Sequence, residues 1–387
     1  MAYAGACSAS FEQARKDLEA LADLKIRSER IRRTTTRVGK ARLELTKLLE
    51  DAFLAKPLPE QLTGGPAEIK APPIAVVMAD GGKYQRFDRS EDKPASGSFW
   101  RESRIACLLS MTAASYVAGA DDELPDFLQD VHIAKKLAEI GKVQGENGVG
   151  SDAPKQEKEP PWQRGEMLHK EIIASGKNWK EFGPKVASAA WYAGFAKATE
   201  KVFVSDGSAA IEEMQAVWFS DYTSVLDIMH ALSYSLSAAR AIHADREAAW
   251  ECYKEFASFI WRGEVDRVIR ALEDHQRELG TPPDDPKESD PREIIRRARV
   301  YYQNHRSRMN YPEYRRKGYP LTSSIMESSV KQVSRRVKGT EKFWSGEGGE
   351  ALLQLRGDYL STSDPMASYW MQAIRDANGL RAYNLSA

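Results

Sequence analysis

The chain has 387 residues, which is long enough for two or three domains and a large core. Hydrophobic residues make up 42% and charged residues 29%, which excludes a disordered or fibrous protein and predicts a soluble globular one. The 56 Lys and Arg residues balance the 56 Asp and Glu residues. The total charge therefore does not indicate a nucleic-acid partner, and only local charge can do so.

Three cysteines, Cys7, Cys107 and Cys252, lie far apart and form no CxxC pair, which suits a reducing compartment. The first ten residues lack the basic and apolar regions of a signal peptide. The longest apolar run, residues 105–120, is too short to span a bilayer. We therefore expect a cytoplasmic protein without a membrane partner.

The first 55 residues are predicted to be helical and basic, with Ser10 as a helix cap. Residues 25–47 carry nine Lys or Arg against two Glu, a local net charge of 9 − 2 = +7. We expect this region to bind DNA backbone through Arg30, Arg33 and Arg37, and a solvated basic helix pair is the alternative. Residues 56–73, rich in Pro and Gly, are predicted to be a linker at a domain boundary.

A second kind of structure is predicted to follow the linker. Residues 74–79 form a β-branched apolar run typical of a buried strand that ends at Asp80-Gly81-Gly82. Residues 84–88 and 100–117 are predicted to be two further strands, residues 121–140 a helix, and residues 141–162 a mobile surface loop.

Residues 162–199 are predicted to be helical, and residues 201–205 to be a strand that ends at Asp206-Gly207. Residues 222–227 are a third buried strand candidate, followed by a long helical stretch to residue 279 and a proline-rich loop at 280–291. Residues 292–317 again carry nine Lys or Arg against two Glu, a net of 9 − 2 = +7. Tyrosines alternate with arginines there, which fits either single-strand contacts or helix packing. They are Tyr301, Tyr302, Tyr311 and Tyr314.

Residues 325–338 are predicted to form one helix with two distinct faces. Met326, Val330, Val333 and Val337 make a buried stripe. On another face, Glu327 shares a surface with three cations, Lys331, Arg335 and Lys338. The alternatives are a solvated face with an ion pair, or a metal-binding carboxylate beside phosphate-binding side chains.

Asp80 and Asp206 each follow a predicted strand and each precede a glycine. Ligands bind at the carboxyl edge of α/β sheets, and parallel neighbouring strands would bring the two carboxylates side by side. Adjacent carboxylates repel each other unless a divalent cation neutralises them, and all-oxygen ligands favour Mg²⁺ or Mn²⁺. Two such ions can promote cleavage of a phosphodiester. The alternative is that each Asp-Gly is a turn.

These pieces together resemble a known family. The order strand with Asp, strand with Asp, helix with Glu resembles the RNase H-like core of DDE transposases. The local strings resemble those of the Kra-type insertion-sequence transposases, which are related to mutator-like elements. The strings are VVMADGGKYQRF at 76–87, WRESRIACLL at 100–109, VFVSDG at 202–207, SVLDIMH at 224–230 and MESSVKQVSRRVKGTEKFWS at 326–345.

The resemblance implies an α/β fold, with an RNase H-like mixed sheet flanked by helices in a catalytic domain at 74–360. It implies a helical insertion at about 231–317, between the second Asp and the Glu, and a C-terminal tail at 361–387. Asp80, Asp206 and Glu327 are implied to bind two Mg²⁺ or Mn²⁺ ions in a DNA transposase that cleaves and transfers strands at insertion-sequence ends. The implied partners are DNA and further copies of the chain in a synaptic complex, located at the nucleoid.

The resemblance also implies roles for residues around this triad. Asp227 and His230 are similar to an Asp-x-x-His pair that follows the fifth strand of the family. A structural pair at a helix N-terminus is the alternative. The implied phosphate contacts are Lys331, Arg335, Arg336 and Lys338. Trp344 is expected either to stack on an unpaired base or to close the helix end in the core.

Two departures from the family pattern bear on these expectations. Ser323-Ser324 stands where relatives have a Ser-Gly pair. Relatives typically also have a longer N-terminal region that is often rich in Cys, so the resemblance implies that part of the end-recognition apparatus is absent here. A truncated DNA-binding remnant or repressor, and an RNase H-like nuclease that does not join strands, remain as alternative functions.

Overall fold

A computed structural model of the chain describes residues 1–87, 99–113, 123–140 and 165–384. It is an α/β structure with a mixed sheet flanked by helices, as expected. The strands are β1 Ile74–Arg86, β2 Trp100–Met111, β3 Met167–Ser175, β4 Glu200–Ser205, β5 Thr223–Leu226 and β6 Phe343–Trp344. Their order is β3-β2-β1-β4-β5, and β6 pairs with the end of β1. The pairs β1–β2 and β2–β3 are antiparallel. The pairs β1–β4, β4–β5 and β1–β6 are parallel.

The strand that carries Asp80 is longer than its sequence predicts. Asp80-Gly81-Gly82 does not end it, because β1 pairs with β2 without interruption from Ile74 to Gln85. The prediction of a separate strand at 84–88 is therefore wrong within the described residues. Gly82 explains the continuation, since a Cβ there would lie 2.7 Å from Oγ of Ser103 on β2. Asp80 is thus an internal residue of a long strand.

The first half of the predicted helix 162–199 is also wrong, because residues 167–175 form β3. This edge strand pairs antiparallel with β2, from Arg104 opposite Ser175 to Met111 opposite Met167. Its second half, Ile172 to Ser175, is buried, whereas Met167 to His169 are exposed. The remaining part of the prediction holds, since a helix begins at Trp179. The predicted loop at 141–162, and residues 114–117 of the predicted second strand, lie outside the described residues.

Helices surround this sheet. Before it come α1 Ala2–Cys7, α2 Phe11–Ala22, α3 Ser28–Leu54 and α4 Leu58–Thr63. Between the strands lie α5 Asp126–Gln129, α6 Val131–Ile140, α7 Trp179–Tyr192 and α8 Ala209–Trp218. After β5 come α9 Ile228–Ile242, α10 Arg246–Trp261, α11 Val265–Leu279, α12 Pro291–His305 and α13 Tyr311–Arg316. The chain then forms α14 Ser324–Val337, α15 Gly346–Leu360 and α16 Pro365–Asn384. No helix among the described residues is both long and apolar enough to cross a membrane.

The N-terminal helices pack directly on the rest of the protein. The side chain of Ser10 accepts a hydrogen bond from the backbone N–H of Gln13, so the predicted cap is confirmed. Helix α3 lies against α15 so closely that a Cβ on Gly39 would be 2.3 Å from the carbonyl oxygen of Ala351. Val38 belongs to the same buried cluster as strand β1. Residues of this N-terminal region therefore share a buried core with the sheet, and the segment predicted as a linker contains α4.

Side chains alternate between two cores along β1. Val76 and Met78 point to the face covered by α9, α14 and α15, whereas Ala75, Val77 and Ala79 point to the face covered by α7 and α8. Strand β4 follows the same rule, with Val204 on the first face and Phe203 on the second. The period of two residues therefore puts Asp80 on the α14 side of the sheet.

The segment predicted as a helical insertion is helical throughout its regular elements, from α9 to α13. Its helices bury Tyr253, Val268, Ile295 and Tyr302 in the same core as the first face of the sheet. The predicted C-terminal tail contains α16, which is exposed from Trp370 to Asp376.

Candidate active site

Asp80 and Asp206 lie at the same level of two adjacent parallel strands. Met78 on β1 is opposite Val204 on β4, so two residues further along Asp80 is level with Asp206. Both also project to the same face, because each follows a residue of the first core by two positions. Neighbouring strands are about 4.8 Å apart, which brings the two carboxyl groups into the same small volume.

Glu327 approaches this edge from α14, which packs over β1 and β2. Met326, Val333 and Val337 of α14 are fully buried, which confirms the predicted stripe, and Val330 is partly buried. Ser334 of α14 faces β1, since a Cβ on Gly82 would lie 3.5 Å from its Oγ. Close helix–strand packing thus fixes the direction in which Glu327 points.

The charges of the other two predicted triad members act on the Asp80 carboxyl. The pKa of the Asp80 carboxyl is raised to about 6, mainly by burial and to a smaller extent by the charges of Asp206 and Glu327, against the lowering effects of the Gly81 N–H and His230. A carboxylate is destabilised in this way when other carboxylates lie close by in a poorly solvated place. Asp206 and Glu327, from two other elements, therefore lie close enough to Asp80 to influence its charge.

These three carboxylates have free acceptor capacity. Oδ1 of Asp80 accepts a hydrogen bond from the N–H of Gly81 at 2.6 Å, and Oδ1 of Asp206 accepts one from the N–H of Ser208 at 2.9 Å. Their Oδ2 atoms and the carboxylate of Glu327 accept no hydrogen bond within the part of the chain that the structure describes. Uncommitted oxygens of this kind fit a hard divalent cation. Over the same residues, no three His, Cys, Asp or Glu side chains are arranged closely enough to hold an ion.

Asp227, at the end of β5, has a structural role that its sequence position alone does not reveal. It is fully buried and caps α9, where Oδ1 accepts the N–H of Met229 at 2.7 Å. Its Oδ2 accepts the N–H of Ser323 at 2.9 Å and also the Ser323 hydroxyl. Because Ser323 precedes α14, this carboxylate ties the fifth strand to the helix that carries Glu327.

His230 sits one helical turn after Asp227, with its Nδ1 3.4 Å from Oδ2 of that residue. Burial opposes its protonation, but the carboxylates of Asp227, Asp206 and Glu327 outweigh burial and raise the pKa of the imidazole. Burial likewise opposes ionisation of Asp227, and His230 and Ser323 outweigh it to lower the pKa of that carboxyl. The carboxylates around His230 therefore favour its protonated form.

A second set of contacts, which no sequence pattern predicts, comes from α12 and holds the Asp206 loop. The hydroxyl of Tyr301 donates to the carbonyl oxygen of Asp206 at 2.9 Å. His305 packs on Gly207, where φ is +86° and a Cβ would lie 2.8 Å from Nε2. Burial and the charge of Arg308 lower the pKa of His305 to about 4, so its ring is neutral at pH 7. Only glycine fits at 207, both for its backbone angle and for this close approach.

The predicted phosphate-binding residues of α14 divide into two groups. Lys331, Arg335 and Lys338 are exposed and take part in no ion pair within the described residues. Arg336 is buried, with its Nε donating to the carbonyl oxygen of Gly5 at 2.9 Å, and burial lowers its pKa to about 10. The prediction that Arg336 contacts DNA is therefore corrected, because it points away from solvent into the contact with α1.

Trp344 closes the end of a helix, which is the second of the two roles that its sequence position suggested. Its indole N–H donates to the carbonyl oxygen of Val337 at 2.9 Å, and its ring contacts Phe11 edge-on with centroids 6.1 Å apart. The guanidinium of Arg336 lies 5.0 Å from the same ring. Trp344 thus closes the end of α14 within the packing. The tyrosines near α12 are also explained by packing, since Tyr302, Tyr311 and Tyr314 are buried.

The basic residues of α3 are at the surface. Arg30, Arg33 and Arg37 are all exposed, and Arg33 pairs with Glu29 at 2.7 Å. Arg30 and Arg37 form no ion pair within the described residues. The contact of these side chains with DNA stays a prediction.

Comparison with known proteins adds no identification. No protein-family model matches the chain, and a search of curated proteins finds no match.

Proposed function

We propose that this protein is a DNA transposase of the DDE type, which cleaves and transfers strands at insertion-sequence ends with the help of a divalent metal. The observation that supports the proposal is that Asp80 and Asp206 stand level on neighbouring parallel strands, and that the charges of Asp206 and Glu327 are among the causes that raise the pKa of Asp80. Carboxylates with free oxygens, two on one face of the sheet and one on the helix that packs over that face, suit the binding of cations.

The order of elements supports an RNase H-like core. The first Asp is on β1, the second follows β4 and the Glu is on α14, with only helices as regular elements between β5 and α14. Asp227 and His230 begin α9 directly after the fifth strand, which is the position that the family resemblance implies for an Asp-x-x-His pair.

Asp80, Asp206 and Glu327 are the residues that would hold Mg²⁺ or Mn²⁺, in keeping with their all-oxygen donor set. When bound, such ions lower the barrier to attack on a phosphodiester by neutralising charge on its oxygens. The chain itself binds and orients the substrate. Lys331 and Arg335 present cations for DNA phosphates, and Asp227 fixes the helix on which Glu327 and these cations stand.

A nicking assay tests the proposal. Supercoiled plasmid is incubated with the full chain and Mg²⁺ or Mn²⁺, and the relaxed and linear products are separated on a gel. Asp80→Asn, Asp206→Asn and Glu327→Gln are each expected to abolish nicking, and EDTA is expected to do the same to the unchanged chain. Glu341→Gln, at an exposed carboxylate in the turn after α14, is the matched control and should nick normally. Metal-dependent nicking that survives in Asp206→Asn would refute the assignment.

A second candidate is a DNA-binding protein without catalysis, such as a repressor. The observation that favours it is the spread of the acidic side chains, which form no group of three at ion-binding distance among the described residues. In that case the protein would bind DNA equally well with and without metal and would not nick it. Strand joining separates the transposase from a nuclease, because only the transposase would covalently insert a labelled oligonucleotide into the plasmid.

A further inference from the structure

The far end of β1 carries an exposed aromatic cluster that the proposed chemistry does not use. We call Phe87, Phe99 and Phe343 the distal aromatic cluster. The ring of Phe99 contacts Phe87 at 5.5 Å and Phe343 at 5.7 Å between centroids, both edge-on. Phe343 is 50% exposed and Phe87 46% exposed, so both present large apolar surface to solvent. Exposed aromatic surface at one place usually marks a binding site.

The backbone holds this cluster in a fixed position. The N–H of Phe87 donates to the carbonyl oxygen of Trp344 at 2.8 Å, and the N–H of Arg86 donates to that of Phe99 at 2.9 Å. The turn before Phe343 is tied to β1 as well, because the side-chain amide of Gln85 donates to the carbonyl oxygens of Gly339 and Thr340. The exposed rings therefore stand on paired strands, which limits their freedom before any ligand binds.

A row of cations joins the cluster to the carboxylates. Lys331, Arg335 and Lys338 follow Glu327 on one side of α14, and the chain reaches Phe343 five residues after Lys338. At about 1.5 Å per residue, the row from Glu327 to Lys338 is roughly 16 Å long. None of these three cations forms an ion pair within the described ranges, so the row is available to a polyanion.

Cations in a line that lead to exposed rings match the recognition of a single nucleic-acid strand, whose phosphates need positive charge and whose unpaired bases stack on aromatic faces. At about 3.4 Å per nucleotide, the cation row covers about five nucleotides. We propose that an unpaired DNA strand leaves the carboxylates along Lys331, Arg335 and Lys338, and that its bases stack on the distal aromatic cluster. The proposal rests on the proposed function for the identity of the nucleic acid.

The neighbouring surface fits the same partner. Lys40 of α3 reaches Glu347, four residues beyond Phe343, with its Nζ 2.5 Å from the Glu347 carboxylate. Lys40 stands on the same helix as the exposed Arg33 and Arg37, so the basic surface of α3 extends away from this contact. A strand that becomes double-stranded beyond the cluster would meet a second basic surface.

The experiment measures binding without catalysis. The full chain is titrated in EDTA into fluorescein-labelled oligo(dT) of about 15 nucleotides, a length within the range of single-strand footprints. A second oligonucleotide carries 2-aminopurine, whose fluorescence falls when it stacks on a ring. The variants are Phe343→Ala, Phe343→Trp and Arg335→Gln. Val217→Ala, which shortens a 64% exposed side chain on the opposite face of the sheet, is the matched control.

Phe343→Ala is expected to weaken oligo(dT) binding roughly 5- to 100-fold and to abolish the 2-aminopurine quench, whereas Phe343→Trp and Val217→Ala keep both. Arg335→Gln should reduce the slope of log affinity against log salt by about 0.7 while leaving the quench intact. Because Phe343 is half exposed, the variant should keep the unfolding midpoint of the unchanged chain, which a thermal melt checks.

Three results would overturn the proposal. The first is wild-type oligo(dT) affinity in Phe343→Ala. The second is an equal loss of affinity for a matched duplex, which would mean that the rings do not read unpaired bases. The third is burial of the cluster by a second copy of the chain, visible as a concentration-dependent increase in size that Phe343→Ala removes. Loss of nicking with retained quench would instead count against the proposed function alone, since this assay needs no metal.

Discussion

Replacing Asp80 by asparagine should stabilise the metal-free protein while it removes activity. The pKa of Asp80 rises from 3.8 to about 6 on folding, which corresponds to about 3 kcal/mol of unfavourable free energy in the charged native state. The side chain is partly in contact with solvent, so we discount this by about half and expect a gain of about 1.5 kcal/mol from Asp80→Asn. For a protein of 387 residues, that is a rise of about 2 °C in the unfolding midpoint.

The sign of the effect follows from proton binding. Between about pH 4 and pH 6 the native state binds more protons at Asp80 than the unfolded state does, so this group makes the protein less stable as the pH rises through that window. The advantage of Asp80→Asn should therefore be absent near pH 4, grow up to about pH 6 and stay constant above it. With a divalent cation present, the unchanged chain should become more stable than Asp80→Asn, because the cation binds the native carboxylates and stabilises the folded state by mass action.

The assay is urea unfolding followed by tryptophan fluorescence, at several pH values in EDTA and again with Mn²⁺. Glu341→Gln removes an exposed carboxylate and serves as the control, with no change expected at any pH. The reasoning is refuted if Asp80→Asn is less stable than the unchanged chain in EDTA at about pH 7. It is also refuted if Mn²⁺ stabilises both proteins equally, because the cation would then bind elsewhere.

Three further predictions concern neighbouring residues. Asp227→Asn should destabilise the protein by about 3 kcal/mol in urea unfolding, opposite in sign to the change at Asp80, because its carboxylate is buried and fully hydrogen-bonded; equal stability would contradict this. Tyr301→Phe should weaken Mn²⁺ binding about tenfold, measured by calorimetry, with little change in the unfolding midpoint. The variant removes only the hydrogen bond to the carbonyl oxygen of Asp206. An unchanged affinity would mean that the Asp206 loop is held without this hydrogen bond. Arg335→Gln should lower the salt dependence of DNA binding and leave stability unchanged, because this guanidinium is exposed. Arg336→Gln should lower the stability and leave the salt dependence unchanged, because this guanidinium is buried. A lower salt dependence in Arg336→Gln would mean that Arg336 contacts DNA.

Much of the sheet and the α14 helix could be predicted from apolar periodicity alone. Residues 201–205 and 222–227 correspond to β4 and β5, and the buried stripe of 325–338 corresponds to α14. The α/β class was implied by the family resemblance, and the strands and helices of the structure agree with it. Strand β3 was missed because its exposed first half, Met167-Leu168-His169, does not form the continuous apolar run by which the other buried strands were recognised.

Other features depend on contacts between distant residues. The Asp80-Gly81-Gly82 sequence has turn chemistry, yet β2 pairs with it and the strand continues. Arg335 and Arg336 are equivalent as charges, but consecutive residues of a helix point about 100° apart, and the second meets Gly5 of α1. Local sequence carries no information on what lies 331 residues away. The Tyr301 contact with Asp206 is of the same kind.

Hydrogen-bond saturation separates two roles among the three aspartates that follow one another across the sheet. Asp227 has both oxygens engaged by backbone N–H groups of α9 and of Ser323, so its charge is already compensated by the protein. Asp80 and Asp206 each accept only one hydrogen bond, on Oδ1, within the described residues. A buried carboxylate that folding leaves uncompensated costs stability, and such a cost persists where a ligand supplies the missing charge. The same edge of the sheet thus contains one aspartate that the chain itself saturates with hydrogen bonds, and two with free oxygens that, under the proposed function, would bind a cation.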